Sequence, residues 1–159
     1  MKLNPKFNYP KSIRAYYNGQ RLYDVNNEKL PSVTTILSFT KSKEDKESLE
    51  RWRKKVGTAA AEKITREATS RGSAMHDFLE KFLLGKLNLD LLGDNSLERQ
   101  MADQIIENGL RNRVNEIFGV EVCLFYPHRY AGAADLICEY EGKLSVVDFK
   151  NSNQLRSDQ

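Results

Sequence analysis

Gly119-Val120-Glu121-Val122-Cys123-Leu124-Phe125-Tyr126, then Ala133-Ala134-Asp135-Leu136-Ile137-Cys138-Glu139-Tyr140, then Leu144-Ser145-Val146-Val147-Asp148-Phe149-Lys150 follow one another within residues 119–150. Upstream of Gly119 the apolar residues recur every third or fourth position. From Val120 onward the period falls to two, the spacing of a strand whose side chains alternate between faces. We read three strands: Val120–Tyr126, Ala133–Tyr140 and Leu144–Lys150. Pro127-His128-Arg129 separates the first pair and Glu141-Gly142 the second, and such short connections make antiparallel neighbours. The stretch is therefore a β-meander.

The chain before it reads as mostly helical. From about Glu44 to Thr69, Leu49, Trp52, Val56 and Ala59–Ala61 recur at helical spacing, with Gly57 as a weak point or break. A second helix is expected from about Ser70 to Leu84. There Met75, Phe78, Leu79, Phe82 and Leu83 make one apolar stripe, and Gly85 follows as a C-cap. A third helix is expected from about Ser96 to Phe118, capped by Asn95 with Glu98 completing a capping box. Nearer the start, Pro5, Pro10 and Asn18-Gly19 are turn signals in a segment rich in Tyr and Asn. Arg21–Val25 reads as a strand that turns at Asn26-Asn27 into Lys29-Leu30, a small hairpin. Val33–Leu37, behind Pro31-Ser32, is read as a short helix, although its β-branched residues also suit a strand. Helices followed by a meander define a mixed α/β (α+β) domain, with the helices packed on a three-stranded sheet.

The 159 residues suffice for one cored domain and leave little for a second. With 40% hydrophobic and 30% charged residues the composition is that of a globular protein, and no apolar run approaches the ~20 residues of a membrane span. The start, Met1-Lys2-Leu3-Asn4-Pro5, has neither a signal core nor an Arg-rich amphipathic helix, so no targeting segment is expected. The two cysteines, Cys123 and Cys138, fall in strands at a spacing that suits neither zinc nor a redox pair; buried free thiols are expected. The net charge of +3 is compatible with a polyphosphate partner and identifies none. Basic residues between Lys41 and Arg71 are interleaved with Glu and Asp, the pattern of a solvated helix surface.

Chemistry gathers at the end of the meander. Alternation places Val146, Asp148 and Lys150 on one face and Val147 and Phe149 on the other. Asp135 interrupts an otherwise apolar or small run on the neighbouring strand, and a hairpin of this length can bring it beside Asp148. Two carboxylates and an ammonium brought together are costly to bury, and a divalent cation between the carboxylates removes the repulsion. Oxygen ligands favour Mg²⁺ or Mn²⁺. Such a cation polarises a phosphodiester and acidifies a water, while a lysine offsets charge on the phosphorus oxygens; phosphodiester hydrolysis is the reaction this trio suits. By itself Asp-x-Lys on a strand is a weak signal, and a plain ion pair at a strand end is the commoner source of it. His76 and Glu80 flank the apolar stripe of the second helix, where that helix meets the sheet. An imidazole there would add a nitrogen ligand and tilt preference toward Mn²⁺, or would serve only as a boundary histidine. His128, in a loop, is read as a surface residue.

Four segments, in order, resemble the motifs of RecB-like PD-(D/E)xK nucleases. Arg71-Gly72-Ser73-Ala74-Met75-His76-Asp77-Phe78-Leu79-Glu80 resembles their helix motif, Gly132-Ala133-Ala134-Asp135-Leu136-Ile137 their Gly-x-x-Asp strand, and Val146-Val147-Asp148-Phe149-Lys150 their (D/E)xK strand. Leu30-Pro31-Ser32-Val33-Thr34-Thr35-Ile36-Leu37, with Trp52, resembles the N-terminal part of the branch that holds phage exonucleases and mitochondrial genome maintenance exonucleases. The resemblance runs from about Arg21 to Ser152. It implies a restriction-endonuclease-like core over residues 41–159, with residues 1–40 as a lead-in, and a DNA exonuclease favouring single strands or strand ends. It further implies Asp135, Asp148, the Phe149 carbonyl and His76 as metal ligands and Lys150 as the catalytic lysine. Glu121 would take a supporting catalytic role, and Glu80 would orient His76 or Lys150 or else face solvent. Arg71, Gly72, Ser73 and Gly132 would meet DNA, the glycines by allowing close backbone approach. The implied setting is the cytoplasm of a bacterium or a phage-infected cell.

The end departs from the family pattern. Relatives continue past the lysine with Thr-Ser and a basic pair, then a helix carrying Gln and Tyr; here Asn151 replaces the Thr, and Asn153-Gln154-Leu155-Arg156 is followed almost at once by Gln159. The core is thus expected to lack its last helix and strand. An exposed sheet edge and face would remain for a second copy or a complementing chain to cover.

Overall fold

The computed structural model describes residues 1–86 and 95–151. The reading of Asn153-Gln154-Leu155-Arg156 lies outside the described residues. The architecture is α+β: two sheets and a set of helices, in the order β1 (Lys2–Leu3), β2 (Ser12–Tyr17), β3 (Gln20–Val25), β4 (Glu28–Pro31), α1 (Val33–Thr40), α2 (Lys43–Val56), α3 (Thr58–Leu83), α4 (Leu97–Ile105), β5 (Val114–Tyr126), β6 (Tyr130–Tyr140) and β7 (Lys143–Val147).

The expected meander is present as β5-β6-β7, fully antiparallel. It gains a fourth strand, since Lys2 and Leu3 pair in parallel with Glu116 and Ile117, giving the order β1-β5-β6-β7. The second sheet is β2-β3-β4, where the sequence reading had only a two-stranded hairpin. Three of the connections are two-residue turns with both φ positive: Asn18-Gly19, Asn26-Asn27 and Glu141-Gly142. That is the geometry whose twist matches the flanking strands, and Asn and Gly tolerate it at least cost.

The break anticipated at Gly57 is present, while two other helix boundaries differ from expectation. The break falls at Gly57, whose φ of 84° and ψ of 147° suit glycine alone; its N–H caps α2 on the Arg53 carbonyl and its own carbonyl receives Ala61. Helix α3 then runs unbroken through Ser70 and Gly72, and Gly85 follows it with φ +66° as expected. The third helix is much shorter than the apolar spacing suggested. Ser96, not Asn95, accepts the capping bond from the Arg99 N–H. The helix loosens into a π-helical turn over Ile106–Leu110, and β5 begins at Val114. Val114, Ile117 and Phe118 thus belong to the sheet, their three- and four-residue spacing notwithstanding.

The main core lies between α3, α4 and one face of the large sheet. Met75, Leu79 and Leu83 pack there against Ile106, Leu110, Ile117, Leu136, Cys138 and Phe149. A second core joins Tyr23, Val25 and Leu30 of the small sheet to Cys123 and Ala131. On the other side of the large sheet Phe118, Ala134 and Ile137 are covered by Tyr9 and Val122. Both cysteines are buried and free. No helix among the described residues is long and apolar enough to cross a membrane.

Candidate metal centre

Helix α3 presents its apolar stripe to the sheet, so the residue between Met75 and the stripe's next turn stands over the middle of β5 and β6. That residue is His76. Its Nε2 lies 3.0 Å from the Phe149 carbonyl oxygen. A carbonyl only accepts, so Nε2 carries the hydrogen and the neutral ring turns the lone pair of Nδ1 the other way. Nδ1 faces Glu121 Oε1 at 3.5 Å and Asp135 Oδ2 at 3.8 Å. A lone pair aimed at two carboxylates is repelled unless a proton or a cation stands among them. The ligand atoms of His76, Glu121 and Asp135 all lie within 4.8 Å of one another. An imidazole nitrogen with two carboxylate oxygens fits a divalent cation of the Mg²⁺, Mn²⁺ or Zn²⁺ kind.

Glu121 reaches this position by an irregularity. Val120 packs on the main core and Val122 on the opposite face, while Glu121 between them has φ +50°, in the left-handed region. A regular strand would carry the side chains at 120 and 121 to opposite faces. The left-handed residue turns the Glu121 carboxylate toward α3 beside Asp135, at a cost of about 1–2 kcal/mol. Sequence reasoning gave Glu121 only a supporting role; nothing in Val120-Glu121-Val122 signals the twist.

The segment just past β7 closes the cluster through its backbone. The Phe149 N–H donates to Asp135 Oδ2 at 2.6 Å, its carbonyl receives His76, and its buried ring meets the imidazole edge-on at 6.0 Å. With the Phe149 peptide turned inward, its neighbours flank the cluster. Asp148 and Lys150 pair with each other at 2.8 Å, both more than half exposed. The structure thus brings together His76, Glu121 and Asp135, where the sequence reading joins His76, Asp135, Asp148 and the Phe149 carbonyl; that carbonyl instead accepts from His76 Nε2. Asp148 lies outside the tight group, although its charge reaches Asp135. The strand expected to run to Lys150 ends at Val147, so Asp148 and Lys150 lie beyond it. Val146 is exposed, Val147 packs on the main core and Phe149 is buried, and the expected alternation of faces continues past the strand's end.

The electrostatics express this crowding. The Asp135 carboxyl is pushed above its ordinary value, chiefly by burial and secondarily by the negative charges of Asp148 and Glu121, against the Phe149 N–H and His76, which lower it. The His76 imidazole is raised, first by its hydrogen bond to Glu121 and then by Asp135 and the Phe149 carbonyl, with burial opposing. Proton and cation therefore compete for one place.

A groove of about 1630 Å³ opens from the cluster and is lined by Arg71, Gly72, Ser73, Glu80, Asp148 and Lys150 among others. Glu80 makes no side-chain hydrogen bond or ion pair among the described residues, so it orients neither His76 nor Lys150. Gly72 sits in regular helix with room for a Cβ, 4.0 Å from the Asn151 amide. Gly132 serves the protein itself: a Cβ there would meet Val33 Cγ2 at 3.3 Å, where α1 docks on β6 beside the Ser32–Ala131 bridge. Ser32 is buried and caps α1 through the Thr35 N–H, so two of the segments singled out in the sequence meet at that point. His128 pairs with Glu28 at 2.9 Å on the surface.

An α+β fold carrying a His–Glu–Asp cluster at the mouth of a groove defines a protein with a candidate metal centre. The proteins it is similar to are exonucleases. Over 130 residues the chain is 28% identical to human mitochondrial genome maintenance exonuclease 1, over 133 residues 32% identical to the Mus musculus protein of that name, and over 136 residues 29% identical to that of Xenopus tropicalis. The matches cover 79%, 79% and 80% of this chain, and 37%, 38% and 38% of the relatives. The chain thus spans a little over a third of the length of these relatives. No family model matches it.

Proposed function

We propose that this chain carries the hydrolytic core of a divalent-metal-dependent deoxyribonuclease of the PD-(D/E)xK type, acting as an exonuclease on single strands or strand ends. The observation that carries the reading is the convergence of His76, Glu121 and Asp135 from three elements, with the Lys150–Asp148 pair on the same groove. Similarity to the exonucleases above supports it. Residues 41–159 would form the nuclease core and residues 1–40 its lead-in.

His76, Glu121 and Asp135 would hold Mg²⁺ or Mn²⁺, with Asp148 near enough to add charge. When bound, such a cation supplies Lewis acidity toward a phosphodiester and toward water. The protein's own groups do the positioning. The Phe149 carbonyl fixes the imidazole ring, and the Phe149 N–H holds one oxygen of Asp135, so both ligands are oriented by one peptide unit. Lys150 places a positive charge beside the groove, where it offsets negative charge on phosphate oxygens, with Asp148 as its exposed ion-pair partner.

The test is cleavage of an end-labelled single-stranded oligonucleotide with Mn²⁺ or Mg²⁺, against circular single-stranded DNA as the substrate without ends. Wild type should shorten the first and spare the second, and chelator should stop it. Lys150→Ala should lose at least about 100-fold in rate with its thermal melt unchanged. Binding without cleavage by both proteins would make the chain a DNA-binding module that has kept the fold and lost the reaction.

A further inference from the structure

Two exposed tyrosines line the groove at the β5–β6 hairpin. Tyr126 ends β5, Tyr130 begins β6, and the two face each other directly across the hairpin. Their rings stack at 5.9 Å and 30°, yet Tyr126 remains 59% and Tyr130 43% exposed. Neither joins a core cluster, and neither hydroxyl is hydrogen-bonded among the described residues. Each lies five residues along its strand from Glu121 or Asp135, so the pair sits roughly 17 Å from the carboxylates. Both line the groove that contains the cluster.

The same groove also carries arginines. Arg14 and Arg21 belong to adjacent strands of the small sheet and also line the groove, as does Arg71 of α3. None of the three is in an ion pair among the described residues. Arg21 is held by the Ser32 and Thr34 hydroxyls, which fix the guanidinium without neutralising it. Aromatic faces left bare together with unneutralised arginines are complementary to one chemistry: unpaired bases strung on phosphates.

We propose that Tyr126 and Tyr130 form a base-stacking platform, and Arg14 and Arg21 its phosphate-binding wall, which hold single-stranded DNA a few nucleotides from the cluster. This rests on the reading of the cluster as a nuclease site and assigns the residues that hold its single-stranded substrate. Because every base has a face and every nucleotide a phosphate, the platform binds without regard to sequence. It also disfavours duplex, whose bases are already stacked.

The test is fluorescence anisotropy in chelator, so that nothing is cut, with oligothymidylate and an abasic oligonucleotide of equal length. Wild type should bind oligothymidylate more tightly than the abasic strand. The double variant Tyr126→Leu, Tyr130→Leu should weaken oligothymidylate binding by about 10- to 100-fold and leave abasic binding unchanged. Arg14→Gln should instead weaken both strands alike and flatten the salt dependence. Mn²⁺ titration of the leucine variant should match wild type, which shows that the site is still formed. Equal affinity of wild type for the two strands, or equal loss on both in the leucine variant, would overturn the platform and assign the tyrosines to hairpin packing. Cleavage undiminished in that variant would sink the platform while the nuclease reading stands. Base-dependent binding without cleavage by wild type would do the reverse.

Discussion

Glu121 occupies a backbone region that L residues avoid, within a strand, and its carboxylate is nearer to His76 Nδ1 than that of Asp135. Strain of that kind persists where the surroundings over-determine it, and here it places a ligand. Glu121→Gly should therefore raise the melting temperature of the metal-free protein by about 2–4 °C, the equivalent of about 1 kcal/mol in a chain of this size. The same variant should bind Mn²⁺ far more weakly by calorimetry; unchanged affinity would remove Glu121 from the site. The His76 titration is a second check. Its hydrogen bond to Glu121 is the largest influence raising its pKa, so Glu121→Gln should move the imidazole C2-proton titration downward, as followed by NMR. The sign for stability follows. A histidine raised in the folded state stabilises fully below its unfolded value near 6.5, and that contribution fades as pH rises through the folded pKa. Metal-free protein should thus melt at a higher temperature near pH 6 than near pH 8. Saturating Mn²⁺ should reverse the order, because cation binding requires the neutral ring.

Gly57 separates α2 from α3 in a conformation, φ 84° and ψ 147°, that places the two helices at an angle while satisfying the end of one and the start of the other. Apolar residues recur at helical spacing on both sides of it, so the sequence marks Gly57 as a weak point or break without giving the angle. Gly57→Ala should destabilise the protein by about 1–3 kcal/mol by denaturant unfolding. It should also alter the environment of Trp52, which lies one turn before the break and lines the groove. An unchanged tryptophan spectrum and midpoint would mean that the bend carries no consequence. The π-helical turn at Ile106–Leu110 is the complementary case. It lets a helix hand its apolar residues directly to a strand, and a reader counting threes and fours runs past the junction.

Helix α3 and strands β5 and β6 contribute one ligand each, so a bound cation ties the helical layer to the sheet. Mn²⁺ at about a hundred times its dissociation constant should stabilise the whole protein by ~2.7 kcal/mol, visible as a rise of several degrees in a thermal melt and reversed by chelator. His76→Ala should forfeit most of that gain, while an equal rise in wild type and variant would place the cation elsewhere. The N-terminal segment ties the molecule together from the other side. Tyr9 lies so close to Gly119 that a Cβ there would stand 2.8 Å from its ring, and the Asn4 N–H continues the β1 pairing onto Ile117.

The meander, the apolar stripe of α3, the three two-residue turns and the candidacy of His76, Asp135, Asp148 and Lys150 were all legible in the sequence. They are local: periodicity, Asn-Gly chemistry and a polar residue in an apolar run each act over a few neighbours. Only the tertiary structure decided which carboxylate stands beside Asp135. That choice rests on one left-handed residue in β5 and on the Phe149 peptide held between His76 and Asp135. It likewise decided that Lys2–Leu3 pair with β5 and that Gly132 makes room for α1. Such features depend on packing between segments far apart in the chain, and a local pattern holds no record of those distant neighbours.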